Sequence, residues 1–110
     1  MPMLSLDSQE AIDAALASRR LVLLKHSRRC PVSAWAWEQV ESMHRAHPDL
    51  EVAWIDVVSQ RMLSREVADR TGVRHESPQV FVILDGDVVH HASHMDVQRT
   101  SIEDALGLPA

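Results

Sequence analysis

The feature that most constrains this chain is a short aliphatic run, Leu21-Val22-Leu23-Leu24, which leads through His26-Ser27-Arg28-Arg29 to Cys30-Pro31. A strand that is apolar on both faces must be covered on both, the environment of a parallel sheet held between helices. Proline suits the first helical position, so a helix is predicted to open at Cys30-Pro31. Val32, Ala36, Val40 and Met43 give it an apolar face to about His44, and Pro48-Asp49 breaks it. The chain therefore sets one cysteine between a buried strand and a helix, behind the polar turn His26-Ser27-Arg28-Arg29.

The flanking pattern extends this unit. Residues 7–18 carry Ala11, Ile12, Ala15 and Leu16 at helical spacing, with Asp7 or Ser8 as N-cap. Glu51 to Val58 reads as a second strand through Val52, Ile55 and Val57. Ser59 is the expected cap of a third helix, which carries Met62, Leu63, Val67 and Ala68 and stops at Gly72. After Ser77-Pro78 comes the run Val80-Phe81-Val82-Ile83-Leu84, then Asp85-Gly86 at a two-residue hairpin turn and Val88-Val89 as the return strand. A last helix spans Thr100 to Leu106 and ends at Gly107. Strands joined through a crossover helix lie parallel and right-handed, and the hairpin adds an antiparallel pair. The predicted class is α/β: a mixed four-stranded sheet flanked by helices, with an extra N-terminal helix, forming a single domain over residues 1–110.

Composition narrows the chemistry. A chain with 45% hydrophobic and 25% charged residues is globular rather than disordered. Its formal net charge of -5 argues against general nucleic-acid binding, which leaves a basic footprint. No apolar run approaches the roughly 20 residues of a membrane helix, and Met1 to Glu10 shows no export signal. The expectation is a soluble cytoplasmic protein. One cysteine excludes an internal disulfide and any zinc site built on several thiolates.

Cys30 is the candidate nucleophile. A helix N-terminus leaves backbone N–H groups unpaired and carries partial positive charge, so the amides of Val32 and Ser33 would favour the sulfur anion. His26, Arg28 and Arg29 would add to that field if they face inward. The competing reading, a small buried hydrophobe, fits poorly with a cysteine behind such a turn. Ser33 stands where a dithiol oxidoreductase carries its resolving cysteine, so a mixed disulfide on Cys30 must be cleared by a thiol from another molecule. Ser33 either hydrogen-bonds the thiolate or simply occupies the first helical turn. The order of elements resembles the thioredoxin arrangement, and that resemblance implies that Pro78, directly ahead of an apolar strand, is a cis-proline facing Cys30. The Ser77 backbone could then pair with an extended substrate segment by strand addition.

Three segments carry a family resemblance: Lys25-His26-Ser27-Arg28-Arg29-Cys30-Pro31-Val32-Ser33, then His75-Glu76-Ser77-Pro78-Gln79, then Ala92-Ser93-His94. Their order and content resemble the monothiol bacilliredoxins of the bacillithiol system, with their thioredoxin-like fold and KHS-x-x-CP-x-S signature. The resemblance runs from Leu21 to His94. It implies removal of bacillithiol from mixed disulfides of cytosolic proteins, with Cys30 attacking, bacillithiol as co-substrate, a low-molecular-weight thiol as partner and no tightly bound cofactor. His75 and Glu76 become candidates for contacting the polar ligand, and Arg28 for pairing a malate carboxylate.

His90, His91 and His94 are dense enough to suggest a metal site, but alternation sets His90 and His91 on opposite strand faces, so none is expected. Trp35 and Trp37, two apart on a helix, cannot share a face; one is expected in the core and the other beside the cysteine, with Trp54 in the core. Two other readings stay open. One is a monothiol-glutaredoxin-like iron–sulfur or thiol-binding carrier, although Pro31 and the missing glycine-rich signature count against it. The other is a non-catalytic thioredoxin-like interaction module.

Overall fold

The computed structural model describes residues 3–109. Five strands form one sheet: β1 (Leu4–Ser5), β2 (Arg20–His26), β3 (Glu51–Asp56), β4 (Gln79–Leu84) and β5 (Asp87–Ser93), in the order β1-β3-β2-β4-β5. β1 and β2 both run parallel to β3, whereas β4 runs antiparallel to β2 and to β5. The sheet thus has one more strand than the four expected. Leu4–Ser5 is too short to show a period of two, and it joins the sheet through its register, Leu4 beside Ala53 and Ser5 beside Trp54.

Four α-helices cover the sheet: α1 (Gln9–Leu16), α2 (Pro31–Ala46), α3 (Arg61–Thr71) and α4 (Arg99–Leu106). Alternation along β2 divides the core. Val22 and Leu24 face Ala36, Val40 and Met43 of α2 and Ile102 of α4, while Leu21 and Leu23 face Ile12 and Ala15 of α1 and Val67 of α3. Complete burial of aliphatic side chains such as these contributes about 1.5–3 kcal/mol each before entropy is counted. The extra N-terminal helix is α1, capped by Ser8, whose Oγ accepts the Ala11 N–H at 3.1 Å.

Several boundaries differ from expectation, among them the end of β3, at Asp56 rather than Val58. β2 continues through Lys25 and His26, so His26 is a buried strand residue rather than part of the polar turn. α3 is capped by Gln60, not Ser59. Asp56 Oδ1 accepts the Val58 and Ser59 N–H groups at 3.0 and 3.4 Å, which folds Ser59 into a turn before the helix can start. β5 runs on to Ser93, with a bulge where Val82 pairs His90 but Ile83 pairs Val88. The hairpin forms at Asp85-Gly86 (φ 50° and 80°), the double positive φ of a two-residue turn.

Candidate functional site

The candidate site lies at the end of the sheet where β2 and β3 finish and β4 begins. Cys30 is the N-cap of α2, with extended dihedrals (φ -107°, ψ 124°) and Pro31 following in the first turn. Its N–H donates to the Ser27 carbonyl at 3.3 Å, closing a four-residue turn, and its own carbonyl accepts the Ala34 N–H at 3.0 Å to start the helix. The cysteine is free and, as a residue, partly exposed.

Ser33 is fully buried, and its hydroxyl is committed to the turn rather than to the sulfur. Ser33 Oγ accepts the Ser27 N–H at 2.8 Å and lies 2.9 Å from His26 Nδ1. His26 therefore meets Ser33 and not Cys30. Burial pushes the His26 imidazole down, which outweighs the contact with Ser33, so the ring is neutral near pH 7 and can accept the hydroxyl proton. Two indoles wall this ring in: Trp37 at 4.7 Å between centroids and Trp54 edge-on at 5.8 Å, with the indoles themselves 5.2 Å apart. Trp54 is core as expected, whereas Trp35 and Trp37 both pack half-buried against the same cluster.

Arg28 and Arg29 are on the exposed part of the turn. The Arg28 guanidinium sits 5.1 Å above the Trp54 ring, and its Nε is 3.9 Å from Asp56 Oδ2. With the Arg28 side chain 70% exposed, that ion pair is worth little. Burial raises the Asp56 carboxyl, but the Val58 and Ser59 N–H groups hold it below the usual range.

The second wall is the segment before β4. The Ser77–Pro78 peptide bond is cis, and Pro78 is buried. Lys25 pairs with Gln79 across β2 and β4, so this segment and the Cys30 turn share one end of the sheet. The Pro78 carbonyl accepts the His94 N–H at 2.9 Å. Gln79, fully buried, ties the segment down: its Nε2 donates to the Arg74 carbonyl at 3.0 Å and its Oε1 accepts the Glu76 N–H at 3.4 Å.

His75 and Glu76, both read as ligand contacts, part company. The Glu76 carboxylate accepts the Ser93 hydroxyl at 3.0 Å and lies 3.1 Å from His94 Nε2; these contacts hold it below the ordinary range. His75 turns the other way, its Nδ1 2.9 Å from Lys25 Nζ. Lys25 is a functional candidate that its motif alone does not single out. It is wholly inaccessible, following the apolar run Leu21–Leu24 in β2, and burial pushes its ammonium down to about 8. A lysine inside a strand buried on both faces was the available signal. Burial, then the charges of Lys25 and Arg65, likewise push the His75 imidazole down.

Among the described residues no three His, Cys, Asp or Glu side chains gather as metal ligands. His90 is half-buried and its neighbour His91 exposed, on alternate faces of β5.

A family model described as monothiol bacilliredoxin BrxC matches residues 3–102. A solved thioredoxin-fold protein assigned as an oxidoreductase is 30% identical, with a TM-score of 0.89 over 94% of this chain and 93% of that one. The Fasciola hepatica thioredoxin (21% identity, TM-score 0.70, covering 96% and 97%) and Chlamydomonas reinhardtii thioredoxin f2 (11%, 0.75, covering 99% and 100%) share the fold alone.

Proposed function

The chain belongs to the monothiol bacilliredoxin family, and from that premise we propose that it removes bacillithiol from protein mixed disulfides through Cys30. One observation carries the reading. The chain's only cysteine caps a helix and is itself partly exposed, while the residue three places on is a buried serine already hydrogen-bonded elsewhere. Such a site can accept one sulfur and has no second thiol with which to expel it.

In the proposed step the Cys30 thiolate attacks the bacillithiol sulfur of the mixed disulfide. The Cys30–bacillithiol S–S bond forms as the original bond breaks, and the electron pair leaves with the substrate protein's thiolate. A second low-molecular-weight thiolate then attacks the bacillithiol sulfur on Cys30, giving a small mixed disulfide and restoring the thiolate. No net oxidation occurs in either exchange. The positive end of α2 favours negative charge at its N-cap, and the Ser27–Ser33–His26 bonds keep the turn in place. The Ser77 backbone, ahead of the β4 ladder, pairs with an extended segment of the protein substrate.

Bacillithiol is thus a co-substrate, and no tightly bound cofactor is required. The partners are bacillithiolated proteins of the cytoplasm and a small thiol, with no part for nucleic acid or membrane. No helix of the described residues is long and apolar enough to cross a membrane. The test compares wild type with Cys30→Ala on a bacillithiolated protein, following release of its thiol. Release by wild type alone supports the reading; equal release by Cys30→Ala overturns it.

A further inference from the structure

A pocket of about 640 Å³ beside the first turns of α3 has no role in the exchange described above. It is lined by Val57, Val58, Arg61, Ser64, Arg65 and His75. Its lining holds two guanidinium groups and no carboxylate, in a chain whose net charge is -5. The three acids next in sequence to lining residues are engaged elsewhere: Asp56 by the Val58 and Ser59 N–H groups and by Arg28, Glu66 by Gln9 and Arg70, and Glu76 by Ser93 and His94. Two further features point to an anion. Ser64 is only 2% exposed, yet its hydroxyl has no hydrogen-bond partner among the described residues. Buried hydroxyls are nearly always paired, so one that lines a pocket is a donor awaiting an acceptor. The N-terminal turn of α3 lies there as well, without a side-chain cap, adding partial positive charge to the guanidinium groups.

Lys25 completes the arrangement from behind. An ammonium can only donate, so the contact with Lys25 Nζ makes His75 Nδ1 the acceptor. The neutral ring then carries its proton on Nε2, and His75 brings a donor to the pocket wall. The pocket also adjoins the reacting end of the sheet: the Val57 N–H donates to the His26 carbonyl at 3.0 Å, next to the Cys30 turn.

We propose that this pocket is an anion subsite that takes the carboxylate end of the low-molecular-weight thiol and thereby selects which thiol Cys30 exchanges. The inference rests on the thiol-exchange reading and deepens it. Carboxylates could also come from acidic residues of the protein substrate. The small thiol is favoured because the pocket is a compact recess offering a few convergent donors, suited to a small polar end group rather than an extended chain.

The direct test titrates malate into the full-length protein and follows backbone amide resonances. Saturable shifts at Arg61, Ser64, Arg65 and His75, lost in the Arg61→Gln/Arg65→Gln variant, support the subsite. No saturation, or shifts indifferent to the double substitution, overturns it. A kinetic arm compares one carrier protein labelled with bacillithiol or with uncharged 2-mercaptoethanol. The wild-type preference for the bacillithiol adduct should fall about tenfold in the double variant, the size of one charge-assisted hydrogen bond. A preference that instead follows acidic residues flanking the carrier's cysteine assigns the pocket to the protein substrate and overturns the proposal. Should wild type fail on every bacillithiol adduct, the proposed function falls, and the malate titration still decides the pocket.

Discussion

Lys25→Met offers the sharpest physical test of how this site is built. The wild-type ammonium is buried, with His75 Nδ1 at 2.9 Å and the Phe81 ring at 5.6 Å. Burial takes it from its usual 10.5 to about 8. At 1.36 kcal/mol per pH unit, that displacement corresponds to about 3 kcal/mol of unfavourable burial while the lysine is charged. The sign follows from proton counting. Below about pH 8 both folded and unfolded lysine are protonated, and the full penalty is present. Between about 8 and 10.5 the unfolded chain holds the proton that the folded one has lost, so stability rises with pH. Methionine of similar length has no such dependence. Urea denaturation of both proteins from pH 7 to 11, followed by tryptophan fluorescence, should show the difference in unfolding free energy moving about 3 kcal/mol in favour of wild type. A difference that stays constant over that range would mean the ammonium is solvated in the folded protein, and the placement of Lys25 would be wrong.

Other substitutions probe the remaining contacts. Ser33→Ala strands the Ser27 N–H and His26 Nδ1 in the interior; at about 1–3 kcal/mol for each of the two unsatisfied groups, it should lower Tm by at least about 10 °C in a calorimetric scan. A double-mutant cycle of Ser33→Ala with His26→Phe should give a coupling near 1 kcal/mol, and strict additivity would deny the hydrogen bond. Ser33→Cys supplies a resolving thiol, so bacillithiol loaded on Cys30 should be expelled as an internal disulfide forms, read as loss of the adduct by intact mass. Glu103 is buried and accepts from His47 and Arg99 at 2.8 and 3.1 Å; burial raises its carboxyl, but these two bonds hold it below the ordinary range. Its contribution is therefore present above the unfolded carboxyl pKa and lost as pH falls through the folded value. In Glu103→Ala the unfolding free energy, read by urea denaturation, should fall less steeply toward acid pH than in wild type.

Much of this arrangement was legible in the residues themselves because it depends on local chemistry. The Leu21–Leu24 run, Pro31 at a helix start, Gly72 and Gly107 at helix ends and Asp85-Gly86 at a hairpin each act within a few residues of themselves. The features that escaped depend on partners distant in sequence. Two residues, Leu4–Ser5, become a strand only because β3 offers an open edge. Ser59 looks like a cap until the Asp56 carboxylate takes its N–H. Ser33 and His26 were each read against Cys30, and only the fold brings them to one another. His75 and Glu76 are neighbours in sequence, yet their side chains turn toward Lys25 and toward Ser93 and His94. The burial of Lys25 is the instructive case, because an unbroken apolar strand was extended by a charged residue and the charge alone moved the expected boundary.

The most direct trial of the mechanism is the intact mass of the protein after one turnover on a bacillithiolated substrate, quenched before any small thiol is added. The account predicts one bacillithiol per chain, borne on Cys30, for every substrate thiol set free. Substrate released while Cys30 remains unmodified, or found instead in a lasting disulfide with the substrate protein, would contradict it.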